Sequence, residues 1–196
     1  DASIERVFRE RTVVDHRDIP GENAVRLIQL DQPVLAADDV RHVHEAIALV
    51  AHPSREVVRR AVHGTRVHVE RAEPALDFRV DPTDEQIQHG DDNLLADLLI
   101  DKGDVDAALR DAAHVVEGVY ESGAQEHVYL ETQGMSAWID GDVVVVRGSM
   151  QCPYYVVNAL MHALGRDESG VRAIQAPTGG GFGGKEDYPS NLAVHA

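Results

Sequence analysis

The hydrophobic pattern is most regular between residues 135 and 165. Two apolar stretches, 135–139 and 143–147, flank an Asp-Gly turn, which predicts a β-hairpin. Pro153 suits the first turn of a following helix, and Gly165 is placed to end it. The helix has one apolar face, formed by Val156, Ala159, Leu160, Ala163 and Leu164. Their spacing of i, i+3, i+4, i+7 and i+8 predicts an amphipathic helix packed on a core.

The N-terminal third has a less regular pattern. Residues 1–33 carry short apolar pieces between turn residues, which predicts loops and short strands. The apolar run 46–51 predicts a buried strand. Ser54 is placed to cap a helix, which Gly64 would end in the left-handed conformation. Residues 66–70 alternate as a half-buried strand does, so this region predicts a right-handed βαβ unit.

The middle of the chain is more polar. Residues 73–101 are acidic around a short apolar patch, which predicts a linker. A short helix is predicted from a cap at Asp104 through Ala112. A strand is predicted at 115–120, and residues 125–131 are expected at a strand or loop edge.

The composition indicates an acidic globular protein. Among 196 residues, 18 are basic and 34 are acidic, and the resulting net charge of −16 argues against a nucleic-acid-binding surface. The single cysteine, Cys152, excludes an intrachain disulfide and a cysteine cluster for zinc or iron–sulfur. The apolar runs are far shorter than a membrane span. We therefore expect a cytoplasmic protein that binds neither nucleic acid nor membrane.

A glycine run near the C-terminus is the main candidate for chemistry. Five of the six residues over 179–184 are glycine, and Lys185 and Glu186 follow. Each glycine inside a helix or strand costs about 0.5–1 kcal/mol relative to alanine, so the run is typical of a loop near a ligand. Amides without Cβ cover are good donors to oxyanions and oxo groups. The run lies between a predicted strand at 171–175 and a predicted helix from Pro189, and the alternative is a tight structural turn.

Two nucleotide-binding patterns match the same run in part. The G-x-G-x-x-G spacing over 179–184 satisfies the dinucleotide fingerprint, but Pro189 favours a helix that starts too late for it. The run and Lys185 also match most of a P-loop. However, Glu186 stands where a P-loop has the Ser or Thr that holds Mg²⁺. A nucleotide- or dinucleotide-binding module is therefore the alternative function.

Three motifs, in order, resemble those of one enzyme family. Residues 180–186 (GGFGGKE), preceded by Ala-Ile-Gln-Ala-Pro-Thr, resemble a signature of the molybdopterin-binding subunit of the xanthine dehydrogenase/aldehyde oxidase family. Residues 123–132 (GAQEHVYLET) resemble its Gly-Gln-(Glu/Asp)-His-(Phe/Val)-Tyr-Leu-Glu segment, and residues 149–153 (SMQCP) resemble its Ser-Thr-Gln-x-Pro turn. Residues 32–50 resemble the hammerhead domain that precedes the molybdenum domain. His44 and Ala46 depart from the Gly and Pro usual there.

The resemblance implies an α+β or α/β fold in two parts. A small α/β hammerhead domain is expected over 1–79, a linker over 80–101, and the first part of a mixed α/β molybdenum-cofactor domain over 102–196. The chain lacks an initiator methionine and ends inside a predicted helix, so we expect a fragment of a longer chain. The general-base glutamate of the family is expected outside this fragment. The fragment alone is therefore expected to be inactive and free of cofactor.

The resemblance also implies an activity and a set of partners. It implies a molybdopterin-dependent oxidoreductase that oxidises a purine, another N-heterocycle or an aldehyde with oxygen derived from water. The cofactor would be molybdenum-pyranopterin in a mononucleotide or dinucleotide form. [2Fe–2S] clusters and FAD are expected on partner domains or subunits, and a homo-oligomer is compatible with the resemblance. A non-catalytic relative that keeps the scaffold is a further alternative.

The resemblance assigns roles to individual residues. The neutral carboxamide of Gln125 is expected to bond an oxygen ligand of molybdenum, and the N–H of Phe182 is expected to donate to another. Neither residue would bind the metal directly. Glu186 is expected to orient the substrate. The other cofactor-binding residues are expected to be Gly181, Gly183 and Gln151.

Overall fold

The computed structural model describes residues 12–26, 30–77 and 79–196. The chain divides into two compact units. The larger unit contains the chain up to Arg66 and again from Glu126, and the smaller unit is Val67–Gln125. The glycine run belongs to the larger unit.

The N-terminal part of the larger unit contains two small antiparallel sheets and a helix. Its strands are β1 (Thr12–Asp15), β2 (Val25–Arg26), β3 (Leu30–Gln32) and β4 (Ala48–Ala51), and β1 pairs with β4 while β2 pairs with β3. Helix α1 spans Arg55–Gly64, and Ser54 occupies the N-cap position but its side chain makes no capping hydrogen bond. Within residues 12–26 and 30–33, the prediction of loops and short strands is confirmed, whereas the rest of residues 1–33 lies outside the described residues.

The predicted βαβ unit in this region is wrong. Residues 66–70 form no strand, and β4 pairs with β1 in the antiparallel direction. The apolar run 46–51 does contain a strand, but its residues are half-buried or exposed rather than buried. A two-stranded sheet covers at most one face of each strand, so a continuous apolar run does not by itself require full burial.

The predicted left-handed stop at Gly64 is also wrong. Gly64 is the last residue of α1, and the next residue, Thr65, has an extended backbone with a φ of −72°. The Thr65 hydroxyl donates to the carbonyl oxygen of Ala61 at 2.8 Å, and its N–H donates to the carbonyl oxygen of Val62 at 3.3 Å. The threonine thus satisfies the final carbonyls of α1, which a left-handed glycine would otherwise do.

The smaller unit contains one α-helix among its described residues. Helix α2 spans Val105–Asp111, and the carboxylate of Asp104 accepts the N–H of Ala107 at 2.8 Å, which confirms the predicted cap. A 3₁₀ turn, Asp84–Gln86, lies within the predicted linker. The strand predicted at 115–120 is wrong, because no described residue pairs with that segment. Local β-propensity does not form a strand without a hydrogen-bonded neighbour.

The C-terminal part of the larger unit is built on a three-stranded sheet. Its strands are β5 (Met135–Asp140), β6 (Val143–Gly148) and β7 (Val171–Gln175), in the order β5-β6-β7. Strands β5 and β6 form the predicted hairpin, while β6 and β7 run parallel. Helix α3 (Pro153–Leu164) connects the parallel pair, and helix α4 spans Tyr188–His195 after the glycine run. The βαβ unit of this chain is therefore β6-α3-β7.

Helix α3 lies between two clusters of buried side chains. On one side, Val156 and Leu160 pack with residues of the sheet and of α4. On the other side, Ala159 and Ala163 pack with buried residues of the N-terminal part, which are Val25, Val34 and Leu35. Gly165 ends the helix with a φ of 61°, as predicted. The helix therefore fixes the turn before it, which contacts the glycine run.

The mixed α/β class is confirmed, and the division into domains at 1–79, 80–101 and 102–196 remains a prediction. The described residues include no helix that combines the length and the apolar character needed to cross a membrane.

Candidate functional site

The glycine run forms a loop between β7 and α4. Three of its residues have positive φ, namely Gly180 (97°), Phe182 (51°) and Gly183 (96°). The N–H of Gly184 donates to the carbonyl of Gly181 at 2.8 Å. A non-glycine residue with positive φ is uncommon, so the conformation of Phe182 indicates a backbone fixed by its surroundings.

The side chain of Gln151 holds the loop from the turn that precedes α3. Its Oε1 accepts the N–H of Gly183 at 3.0 Å and the N–H of Lys185 at 3.2 Å. Its backbone N–H donates to the Lys185 carbonyl at 2.7 Å. The motif resemblance predicted that Gln151 contacts the cofactor, which remains a prediction. In the structure its amide oxygen binds the loop.

Three successive amides in the loop have no protein acceptor. Among the described residues, no group accepts the N–H of Gly180, Gly181 or Phe182. Gly181 is nevertheless buried, and buried backbone N–H groups are nearly always paired. The ring of Phe182 is 75% exposed, so it does not anchor the loop in a core. The loop therefore presents a short row of N–H donors with no internal partner.

Two aromatic rings of the segment 126–131 lie against the glycines. A Cβ on Gly184 would lie 2.5 Å from Cε1 of Tyr129 and 3.1 Å from the ring of His127. A Cβ on Gly183 would lie 3.3 Å from Nε2 of the same histidine. The side-chain amide of Gln133 donates to the Gly184 carbonyl at 2.9 Å. Glycine is required here because the backbone of the loop packs directly on aromatic rings.

An ion pair between a buried lysine and a partly exposed glutamate lies beneath the loop. The Lys185 side chain is fully buried, and its Nζ donates to Oε2 of Glu131 at 2.6 Å and to the Ser149 hydroxyl at 3.1 Å. The same Oε2 accepts the Ser149 hydroxyl at 2.7 Å and the N–H of Gly179 at 2.8 Å. The hydrogen bonds from Lys185, Ser149 and Gly179 lower the pKa of Glu131 to about 2. The Glu131 carboxylate of the folded protein is therefore ionised at neutral pH.

The carboxylate of Glu186 lies at the end of the loop. Its backbone N–H donates to the Gly183 carbonyl at 3.2 Å, and its Oε1 is 3.4 Å from Nε2 of Gln151. Glu186 is half-buried. Burial, with the negative charges of Glu186 and Asp187, raises the pKa of the Cys152 thiol. Because the Glu186 side chain is only half-buried, its carboxylate can still form hydrogen bonds to a ligand. Its predicted role in substrate orientation requires this.

Some predicted site residues come together in the structure. Gly181, Phe182, Gly183, Gln151 and Glu186 all lie in or against the loop of the larger unit. Gln125 is the last residue of the smaller unit, and its role as a donor to the cofactor remains a prediction.

The ion pair beneath the loop was not predicted from the sequence. Glu131, Ser149 and Lys185 all lie inside the three quoted motifs, but their spacing along the chain does not reveal an ion pair. The one signal in the sequence was the position of Lys185 between a glycine run and a predicted apolar helix. A lysine at such a position can become buried, and a buried ammonium needs an acidic partner.

Comparison with known proteins identifies the family. The sequence profile of the molybdopterin cofactor-binding domain matches residues 87–196, which is more than half of the chain. The chain belongs to the molybdopterin cofactor-binding domain family. This match confirms the resemblance drawn from the three motifs, and it confirms molybdopterin as the cofactor of the family.

Individual relatives agree with this family assignment. The chain is 36% identical over 177 residues to the nicotinate dehydrogenase large molybdopterin subunit of Eubacterium barkeri, covering 89% of this chain and 42% of that protein. It is 35% identical over 171 residues to the nicotine 6-hydroxylase large subunit of Paenarthrobacter nicotinovorans, covering 84% of this chain and 21% of that protein. It is 31% identical over 184 residues to xanthine dehydrogenase 1 of Arabidopsis thaliana, covering 92% of this chain and 13% of that protein. The chain thus spans less than half the length of these relatives.

A solved structure shares the fold. The aldehyde oxidoreductase of Desulfovibrio gigas superposes with a TM-score of 0.81 over 97% of this chain and 23% of that protein, at 20% sequence identity. This likeness supports the mixed α/β architecture of this chain. The hammerhead assignment of its N-terminal part remains a prediction.

Proposed function

We propose that this chain forms part of a molybdenum hydroxylase of the xanthine dehydrogenase type. The observation that supports it is the row of amides at Gly180, Gly181 and Phe182, which have no acceptor among the described residues. Backbone N–H groups in a turn with positive φ form a concave donor site for anionic oxygen. The metal-bound oxygens and the phosphate of a molybdenum-pyranopterin group are acceptors of this kind.

The residues fit such a group sterically as well as chemically. A Cβ on Gly181 would lie 2.7 Å from Cδ of Gln151, so only glycine leaves the backbone uncovered at this point. The Gln151 carboxamide accepts the N–H groups of Gly183 and Lys185 and thereby fixes their positions. The loop is thus preorganised before any ligand binds, which lowers the entropy cost of binding.

Each residue has a separate task in the proposed enzyme. When bound, the molybdenum-pyranopterin group supplies the two-electron oxidation of the substrate carbon. The N–H of Phe182 and the carboxamide of Gln125 hold the group by hydrogen bonds, while Gly181 and Gly183 shape the loop. Gln151 positions the loop and reaches Glu186 with its Nε2. Glu186 orients the substrate through a ring nitrogen or a carbonyl group.

The proposed substrate is a purine, another N-heterocycle or an aldehyde. The relatives are named for nicotinate, nicotine and xanthine, and all three are N-heterocycles. A carboxylate accepts from a ring N–H and a carboxylic acid donates to a ring nitrogen or carbonyl, so a side chain such as Glu186 can recognise the groups that such heterocycles offer. Electrons would leave through [2Fe–2S] clusters and FAD on partner domains or subunits. The proposed enzyme is cytoplasmic, and its N-terminal part is the hammerhead domain.

The buried position of Lys185 argues against a P-loop. A P-loop lysine must reach the β- and γ-phosphates of a nucleotide. The ammonium of Lys185 instead lies fully buried against Glu131. The first helix after the loop also begins only at Tyr188, three residues beyond Lys185. The loop geometry therefore does not favour the nucleotide-binding alternative.

Metal and cofactor analysis tests the proposal. The polypeptide that carries this sequence is purified from a host that makes molybdopterin, and molybdenum and pterin are measured per polypeptide. We expect near-stoichiometric molybdenum, with loss in Gln125→Ala. Glu117→Gln, an exposed substitution in the same unit as Gln125, serves as the control. Absence of molybdenum, together with binding of ATP or NAD by calorimetry, would contradict the proposal and support the alternative.

A further inference from the structure

The two ends of the glycine loop meet at a single oxygen atom. Oε2 of Glu131 accepts the N–H of Gly179, the first residue of the loop, and the Nζ–H of Lys185, the residue that follows its last glycine. The N–H of Glu131 also lies 3.4 Å from the Gly179 carbonyl oxygen. Residues 179–185 thus form a closed loop, here called the arch. Its two end residues, Gly179 and Lys185, are called its feet, and both are bonded to the Glu131 carboxylate.

The lysine foot of the arch occupies a fully enclosed site. Its Nζ is bonded to Glu131 and Ser149 and lies 4.8 Å from the centre of the Tyr129 ring. An isolated ammonium in such a site is strongly unfavourable, so this cation needs all of these neighbours. Of the 18 basic residues, 16 are arginine, and the other lysine is Lys102. The compact ammonium of lysine suits this site, whereas the planar guanidinium of arginine needs more room.

The row of unpartnered amides lies on the arch between these feet. The N–H groups of Gly180, Gly181 and Phe182 donate to no described residue, while the Gly181 carbonyl accepts the N–H of Gly184 within the arch. Gln151 supports only the descending side, at Gly183 and Lys185. The direction of the apical N–H groups therefore depends on the two feet as well as on Gln151 and on the bond between Gly184 and Gly181.

We infer that Glu131 and Lys185 form a clamp that positions the apical amides for cofactor binding. This inference rests on the proposed function, since it assigns positioning residues to the same site. The Lys185 side chain is enclosed and cannot reach the cofactor, while Oε2 of Glu131 accepts from three protein donors and acts on the loop. The clamp acts by fixing the distance between Gly179 and Lys185, the two ends of the loop.

The test uses three variants of the whole polypeptide in its cofactor-loaded form. Glu131→Gln leaves the ammonium of Lys185 buried without a counter-charge, and Lys185→Met removes the tie to the second foot. The double variant Glu131→Gln/Lys185→Met removes the buried ammonium together with its counter-charge, so no unpaired charge is left buried and it should be more stable than Glu131→Gln. Three quantities are measured: the unfolding midpoint in urea, the rate of molybdenum release into a chelator, and the hydrogen exchange of the loop amides in the cofactor-free protein.

A positioning role and a purely structural role give opposite results in the double variant. We expect its unfolding midpoint to recover toward the wild-type value, while molybdenum release stays at least about tenfold faster than in the wild type, a factor that corresponds to about 1.4 kcal/mol. In the double variant, amide exchange at Gly179 and at position 185 should also remain faster than in the wild type in the absence of cofactor. If the double variant recovers slow molybdenum release together with stability, the pair is a replaceable structural element and the inference is wrong.

Two further outcomes keep the inference separate from the proposed function. Exposed charge changes, Lys102→Met and Glu117→Gln, serve as matched controls and should release molybdenum at the wild-type rate. If the wild-type polypeptide carries no molybdenum, the proposed function fails, and the clamp that rests on it fails as well. If the wild type carries molybdenum and Glu131→Gln holds it equally long, the clamp fails and the proposed function stands.

Discussion

The backbone of Gly181 lies so close to Gln151 that the Gln151 side chain could not keep its position if residue 181 carried a Cβ. A Cβ on Gly181 would lie 2.7 Å from Cδ of Gln151 and 3.1 Å from its Cγ. The Gln151 carboxamide is not free to move aside, because its Oε1 accepts two loop N–H groups. The pair therefore couples the turn before α3 to the conformation of the glycine loop.

Gly181→Ala should displace the Gln151 carboxamide and release the amides of Gly183 and Lys185. Two lost hydrogen bonds correspond to about 1–3 kcal/mol of unfolding free energy. We expect lower thermal stability and loss of bound molybdenum. Gly134→Ala is the matched control, because a Cβ at Gly134 meets nothing within 4 Å. Equal molybdenum content in both variants would contradict the proposed role of the loop.

Gly184→Ala should separate the loop from the aromatic rings beneath it. The added methyl would lie 2.5 Å from Cε1 of Tyr129, and inserting such a group into a packed site costs about 1–3 kcal/mol. The Gln133 bond to the Gly184 carbonyl should be lost as the backbone moves. Near-ultraviolet circular dichroism should report the altered tyrosine environment. A spectrum unchanged from that of Gly134→Ala would show that the rings do not pack on the loop.

Lys185→Arg should not behave as a conservative change. The Lys185 side chain is fully buried between Glu131, Ser149 and the Tyr129 ring, and a guanidinium is larger and planar. We expect a lower unfolding midpoint than for Lys102→Arg, the same substitution at an exposed position. Equal midpoints for the two variants would indicate that the site around Lys185 has unused space.

The pH dependence of stability should reveal the ionised state of Glu131. Its folded pKa is lowered to about 2 from an ordinary value of 4.5, so the folded state binds its proton less readily than the unfolded chain. The carboxylate therefore stabilises the fold above its unfolded pKa, and this contribution is lost as pH falls through the folded pKa. The urea midpoints of the wild type and Glu131→Gln should differ most at neutral pH and converge between about pH 4.5 and 2. A difference that is constant with pH would contradict this.

Elements of the fold differ, for physical reasons, in how well the sequence predicts them. The β5-β6 hairpin, α3 and Gly165 were predicted because turn residues and a helical apolar face are local signals. The strand expected at 115–120 was wrong because strand formation depends on a partner elsewhere in the chain. Short-range patterns therefore located the loop and both elements that flank it.

The site was predicted in part for a similar reason. Glycines that need positive φ, such as Gly180 and Gly183, are visible in a sequence. The contacts of Glu131 with Gly179 and Lys185 join positions 48 and 54 residues apart, and nothing local marks them. The burial of Lys185 and its pairing with Glu131 depend on tertiary packing, which is why the ion pair emerged only with the structure.

A pair of glycine substitutions tests the observed difference between two helix ends. Gly64 has helical backbone and no atom within 4 Å of a Cβ, so Gly64→Ala should be neutral or stabilise the protein by up to about 1 kcal/mol. Gly165 has a φ of 61°, and an alanine in the left-handed region costs about 1–2 kcal/mol, so Gly165→Ala should destabilise it. Urea unfolding followed by far-ultraviolet circular dichroism measures both changes. Destabilisation by Gly64→Ala would mean that α1 ends at a left-handed glycine, as its sequence had indicated, and not at the Thr65 hydroxyl.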